Sequence, residues 1–308
     1  MITALLKKPI SISINVVLFL CISLNCHAAN LTQMQQEQML ELKKTALTSD
    51  LSYQLVESLT TEVGPRLAGT PGDAKAIAWS IKNMKALGFD KVWTEEVVAS
   101  QWIRGEAHAK ILAPYPHNVV ALALGGSVGT SNQGISAEIV HFETLADLEA
   151  AATNSLKGKI AFISYRMEKH IDGSGYGPAV GARVNGASIA AEKGALALVM
   201  RSVGTDNNRI AHTGLMRYKE GINKIPAVAI SNPDADLLIN QLKRKKPVRF
   251  FLKLSASIEN KKLMKSANVI GEITGTEFPE QIVAIGAHLD SWDVGTGAVD
   301  DGIGIAMT

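Results

Sequence analysis

The pattern of apolar and polar positions divides the 308-residue chain into four stretches. The first is an apolar run, Ile10 to Leu24, preceded by Lys7 and Lys8 and followed by Asn25-Cys26-His27-Ala28-Ala29. A basic start, a short apolar segment and small residues at a cleavage point describe a secretory signal peptide, residues 1–28, cut after Ala28. The run is shorter than the ~20 residues of a spanning helix, and neither Cys21 nor Cys26 follows the small residues a lipid-modified cysteine requires. The second stretch, 29–100, opens with a Gln- and Glu-rich helical pattern from Leu31 to Leu59, then the turn-rich loop Gly64-Pro65-Arg66-Leu67-Ala68-Gly69-Thr70-Pro71-Gly72. The spacing of Ile77, Ile81, Met84 and Leu87 predicts a helix from about Asp73 to Leu87 closed by Gly88, and Lys91–Val98 reads as a strand.

The third stretch, 101–265, carries short β-like runs at His117–Leu124, Ile135–His141 and Lys159–Tyr165. A small-residue helix lies between Gly181 and Ala197, followed by apolar strands Ala195–Met200 and Ile225–Ile230. Asn232-Pro233-Asp234 then opens a helix through Leu242. Strands interleaved with helices predict a compact α+β insert; the pattern equally admits more of a single domain. In the fourth stretch, 266–308, Asn268–Ile273 and Ile282–Gly286 read as apolar strands around a hairpin-like turn, Thr274–Gln281. The outer stretches then form one α/β domain with the middle inserted.

With 46% hydrophobic and 19% charged residues the chain can bury a sizeable core, and its length suggests about two domains. A net charge of +2 argues against a nucleic-acid partner, and Lys243–Lys246 reads as a solvated helix end. Both cysteines lie in the leader, so the mature chain holds no disulfide and no thiolate metal site. Loss of Lys7 and Lys8 with the leader takes the formal charge from +2 to 0. A metal would have to be held by His and carboxylates, which suits a catalytic zinc.

The chemistry gathers at the end. Gly286-Ala287-His288-Leu289-Asp290-Ser291-Trp292-Asp293 is followed by Val294-Gly295-Thr296-Gly297-Ala298-Val299-Asp300-Asp301-Gly302. It is expected to begin at the C-terminal end of a buried strand, where α/β sheets place their sites. His288 and Asp290 would leave an extended backbone on one face, and a carboxylate there can take the free ring N–H of a metal-bound imidazole. The small residues Gly295, Gly297 and Ala298 permit a tight loop that returns Asp300 as a second ligand, and one carboxylate can bridge two metals ~3.5–4 Å apart.

Each piece alone has a plainer reading. A strand-end His commonly serves structure, and Asp-Asp-Gly commonly caps a helix, a role assigned here to Asp301 ahead of Ile303–Met307. The glycine loop lacks the pattern of a phosphate cradle. The other mature histidines, His108, His117, His141, His170 and His212, stand in no ligand spacing. Ser164, Ser174 and Ser291 lack a nucleophile elbow. Arg66 could approach a substrate or a carboxylate, although a turn anchored by Pro65 and Pro71 accounts for most of its loop.

The stretch HLDSWDVGTGAVDDG resembles the motif of the co-catalytic zinc exopeptidases, a family that includes secreted bacterial aminopeptidases. GPRLAGTPG is similar to that family's N-terminal loop, and Gly181–Ile230 to the protease-associated domain inserted in such enzymes. The resemblance implies an α/β fold, an aminopeptidase-like mixed sheet with helices on both faces, incomplete here. It places the N-terminal part of the peptidase domain at 29–100, the protease-associated domain at 101–265, and the start of the catalytic sheet and metal site at 266–308. It makes His288 a ligand of one zinc and Asp300 the bridge between two Zn2+, with Asp290 orienting His288 as a catalytic support. The family pattern continues with a Glu-Glu pair and further Asp and His ligands that do not occur before Thr308, so the chain is expected to be an incomplete, inactive fragment.

For the complete protein the resemblance implies a secreted or periplasmic exopeptidase acting on dipeptides or peptide termini, in the carboxypeptidase/dipeptidase manner. An aminopeptidase is the close rival, and a zinc-free receptor-like binding homologue a more distant one, against which the retained His288, Asp290 and Asp300 speak. The expected partner is a peptide or dipeptide substrate, with no nucleic acid and, after leader cleavage, no membrane; a homodimer is compatible with this.

Overall fold

The computed structural model describes residues 31–308, with the backbone alone at 99–100 and 259–262. The signal-peptide expectation for 1–28 lies outside the described residues. Residues up to Gln54 form one compact unit and Leu55–Thr308 another. In the first, helix α1 (Gln33–Thr48) starts at a capping box in which Thr32 and Gln35 satisfy each other's backbone N–H. It buries no residue. Helix α2 (Leu51–Ser58) follows.

In the second unit a π-helical turn (Leu59–Val63) leads to helix α3 (Pro71–Ala86), with Thr70 as N-cap and proline in the first turn. Leu87 caps the end and Gly88 follows with φ +87°, the left-handed position glycine fills without strain. Two long strands, β1 (Lys91–Ile103) and β10 (Ser257–Glu272), pair antiparallel from Lys91↔Glu272 to Ile103↔Ser257.

Everything between them belongs to a separate eight-stranded sheet. Its strands are β2 (Ala107–Ala113), β3 (His117–Val119), β4 (Ala121–Ala123), β5 (Ile135–Phe142), β6 (Ile160–Ile163), β7 (Ala197–Arg201), β8 (Ala227–Ile230) and β9 (Arg249–Leu254), in the order 3-2-9-5-6-7-8-4. Strands β5 to β8 are mutually parallel and the rest antiparallel, so the sheet is mixed. The inner parallel strands β6 to β8 read IAFI, ALVMR and AVAI, apolar but for Arg201 and buried throughout, as parallel strands covered on both faces require. Ile160, Phe162, Ala197, Val199, Val228 and Ile230 face a core shared with helix α6 (Asn232–Leu242). Their neighbours Ala161, Ile163, Leu198, Met200, Ala227 and Ala229 face a second core under helices α4 (Leu145–Ala150) and α5 (Tyr176–Glu192). Helices therefore cover both faces. The edge strands β3 and β4 are consecutive in sequence, separated by Val120 alone, so the sheet curls until its two edges come together.

Two expectations are corrected. The run His117–Leu124 is not one strand, because the chain must pass from one edge of the sheet to the other at Val120, whose N–H is taken by Asp234 at 2.9 Å. Ile282–Gly286 is not a strand: it pairs with nothing among the described residues, and Ile282 and Val283 are 86% and 91% exposed. The segment Asn268–Glu272 is the end of β10, and its partner is β1 rather than a following hairpin strand.

Candidate metal centre

Leu289 fixes the site from below. Its side chain joins Leu59, Ala76 and Trp79 in a small apolar cluster against α3, together with Ile305 of the short helix α7 (Ile303–Met307). Leu289 is only partly buried, so its packing contributes less than the roughly 1.5–3 kcal/mol of a fully buried leucine, but it pins the backbone between His288 and Asp290.

The imidazole of His288 stands between two carboxylates. Nε2 lies 2.9 Å from Oδ1 of Asp300, and Nδ1 lies 3.2 Å from Oδ1 and 3.0 Å from the backbone oxygen of Asp290. The three residues meet although the segment carrying them is not a strand end. Burial pulls the His288 pKa down, but the hydrogen bonds to Asp300 and Asp290 and their charges outweigh it and hold it above the ordinary value. Asp301 takes the capping role: Oδ1 accepts from the Gly304 N–H at 3.2 Å, and Oδ2 accepts from the His288 N–H at 3.3 Å.

The loop between the two halves is built on close approaches. Gly297 has φ +59°, and a Cβ there would fall 2.4 Å from the Ser291 Cβ. Its carbonyl accepts from Gly302 N–H at 2.9 Å, closing the π-helical turn Ala298–Gly302 that carries Asp300.

Two buried arginines hold this loop. Arg66, with 0% exposure, donates from Nε to the Leu289 carbonyl at 2.5 Å, from Nη2 to Gly297 at 2.8 Å and from Nη1 to Thr296. Its own N–H donates to Ser291 Oγ at 3.2 Å, and its carbonyl accepts from Ser291 N–H at 3.2 Å. Burial pushes the guanidinium below its ordinary pKa, against the pull of Asp290. Arg104, 5% exposed, grips Asp293 with Nε and Nη2 at 2.7–3.0 Å and donates from Nη1 to the Ala123 carbonyl and to Thr213 Oγ1 at 3.2 Å. It lies 4.9 Å from the Trp102 ring centre and 5.3 Å from that of Trp292, two rings that meet edge to face at 6.5 Å. The tip of Trp292 occupies the space a Cβ on Gly125 would need. The Asp293 end of the site is thus tied to the eight-stranded sheet.

The sequence offered Arg66 as a turn residue that could approach a substrate or carboxylate, not as a tie to loop carbonyls, and Arg104 not at all, because their partners lie 189 to 231 positions away. The remaining histidines take no part: His108 and His170 each reach only a glutamate two residues away, and His141 bonds Ser164 Oγ at 2.7 Å. A cleft of about 550 Å³ opens beside the site, lined by Asp73, Ser80 and Met84 of α3, Met264 and Asn268 of β10, and His288 with Asp290.

A catalytic zinc takes three protein ligands drawn from imidazole and carboxylate. Among the described residues no group of three or more His, Cys, Asp or Glu side chains is arranged to hold a metal ion. His288 and Asp300 supply two donors of the right chemistry, with Asp290 on the far ring nitrogen, so the residues present fit part of such a site.

Residues 268–308 match the model of peptidase family M28. Human carboxypeptidase Q is 36% identical over 82% of this chain and 52% of its own length. The crystal structure of a peptidase M28 precursor from Shewanella amazonensis SB2B is 52% identical, with a TM-score of 0.86 over 88% of this chain and 61% of that one. The structure of BSAP, a zinc aminopeptidase from Bacillus subtilis, is 25% identical, with a TM-score of 0.56 over 83% of this chain and 55% of that one. The chain spans about half the length of the curated relatives it matches.

Proposed function

We propose, from the premise that this chain is related to peptidase family M28, that it is part of a zinc-dependent exopeptidase exported through its leader, 1–28, to the periplasm or beyond. The observation that carries the reading is the arrangement of His288, with Asp300 on Nε2 and Asp290 on Nδ1. His288 and Asp300 would hold the metal, Asp300 bridging two ions, and Asp290 would keep the imidazole in the tautomer that leaves Nε2 free to ligate. When bound, a pair of zinc ions supplies Lewis acidity toward a peptide carbonyl and lowers the pKa of water. The chain's own residues bind and orient: Leu289 and Arg66 keep the two donors in register, and the adjoining cleft gives a peptide end room to lie against His288. The remaining ligands and the general base would come from sequence outside these 308 residues, so this chain alone is expected to hydrolyse nothing. The eight-stranded sheet, which runs from Ala107 to Leu254 within 101–265, would be the protease-associated domain.

Hydrolysis of dipeptides or peptide ends in the carboxypeptidase manner is favoured by the likeness to carboxypeptidase Q. Aminopeptidase action is the second reading, supported by the likeness to a zinc aminopeptidase. Metal analysis of the full-length protein should find about two zinc ions per chain, and chelation, His288→Ala and Asp300→Asn should each abolish peptide cleavage. An active preparation free of zinc would overturn the proposal, as would peptidase activity in the 308-residue chain. Dipeptides blocked at one terminus or the other separate the two specificities.

A further inference from the structure

We propose that Arg66 is a positioning residue whose guanidinium sets the separation of His288 and Asp300, and with it the affinity of the loop for a divalent cation. This rests on the reading that those two side chains are metal donors. The donor-bearing segments, His288–Asp290 and Thr296–Asp300, share no strand ladder. Besides the hydrogen bonds of His288 to Asp300 and Asp301, one planar fork joins them: Nε holds the carbonyl between His288 and Asp290, while Nη1 and Nη2 hold the carbonyls of Thr296 and Gly297, just ahead of Asp300. The fork has a fixed span, so holding the three carbonyls fixes the distance between the segments. No carboxylate pairs with Arg66 within ion-pair distance among the described residues; its buried charge is met by part-buried loop carbonyls.

Lysine keeps the charge but is a point donor, so it cannot hold two segments at a set distance. Gly297 offers an independent handle from the other side. A Cβ there would sit 3.0 Å from Nη2 and 2.4 Å from the Ser291 Cβ, so Gly297→Ala displaces the same fork without touching Arg66.

The test is a cobalt(II) titration, followed by visible absorbance, of the metal-free full-length protein and its variants, each first checked for folding by far-UV circular dichroism. Support groups behind metal ligands are worth about 10–100-fold in affinity, and Arg66→Lys and Gly297→Ala should each weaken cobalt binding within that range. Millimolar guanidinium should restore at least about tenfold to Arg66→Ala, an effect a merely space-filling role would not give. Should Arg66→Ala fail to fold, the Lys and Gly297 variants carry the test. Affinities within twofold of the parent for both, while His288→Ala abolishes binding, would overturn the proposal. His288→Ala binding cobalt as the parent does would instead remove the metal reading on which the proposal stands.

Discussion

Asp293, at the end of the candidate site nearer the eight-stranded sheet, is met by Arg104. The arginine side chain is almost wholly buried while the aspartate keeps 29% exposure, so only one partner is fully cut off from water. Arg104→Met removes the fork, leaves the Asp293 carboxylate half-stranded, and should cost about 1–3 kcal/mol, less than a fully buried pair because water can still reach the acid. Urea denaturation would measure it, and Asp293→Asn in the same chain should return part of the loss. Equal stability of parent and Arg104→Met would show that the two tryptophans, not the ion pair, hold the junction. The three residues marked as site candidates from spacing are brought together, because their separations of 2 and 12 positions are short enough for local geometry to decide. The arginines that hold them escaped notice for the reverse reason: nothing in Gly64–Gly72 or around Ile103 signals a partner some two hundred positions on.

At the scale of elements, helices were the most legible because their ends are marked in the sequence. Thr70 with Pro71, and Ser231 with Pro233, stand at the starts of α3 and α6. Ser231 is wholly buried, accepts from Asp234 N–H at 3.2 Å and donates to Asp234 Oδ2 at 2.7 Å. Ser231→Ala should therefore lower stability by ~1–2 kcal/mol in a urea titration, and an unchanged midpoint would exclude the cap as a contributor. Strands were harder. An apolar run satisfies only one condition for a strand, and the other, a neighbour with free N–H and C=O groups, is not local. Ile282–Gly286 meets the first and not the second, and leaves Ile282, Val283 and Ile285 in water. Exposed apolar runs of this kind promote association, so Val283→Lys should reduce concentration-dependent light scattering while shifting the unfolding free energy by less than ~0.5 kcal/mol.

For the whole molecule, proton linkage gives a signed expectation. Burial lowers the pKa of His141 beneath its ordinary 6.5, partly offset by Glu143 and Asp147, and burial with the charge of Arg183 lowers that of His212. Both histidines favour the neutral form when folded, so their contribution is complete above the unfolded value and is lost as pH falls through the folded one. His288, held above its ordinary value, works in the other sense, complete below 6.5 and lost as pH rises. Acid destabilisation as pH falls below 6.5 should therefore be shallower in His141→Gln than in the parent. Parallel stability curves for the two would assign the acid sensitivity elsewhere. The mixed α/β class was readable from alternating strand and helix signals. The curled sheet was not, since its closure depends on β3 and β4 reaching opposite edges across one residue.

The β1–β10 ribbon makes the segment it encloses separable in principle from the rest. Ile103 and Ser257 sit opposite each other, so the chain departs for the eight-stranded sheet and comes back through a single doorway one strand spacing wide, ~5 Å. A segment entering and leaving by one doorway can be spliced in or out of a gene as a cassette, with a two-to-five-residue turn closing the ribbon behind it. A chain lacking that segment would keep His288, Asp290, Asp300 and Arg66 but lose Arg104, and with it the tether on Asp293.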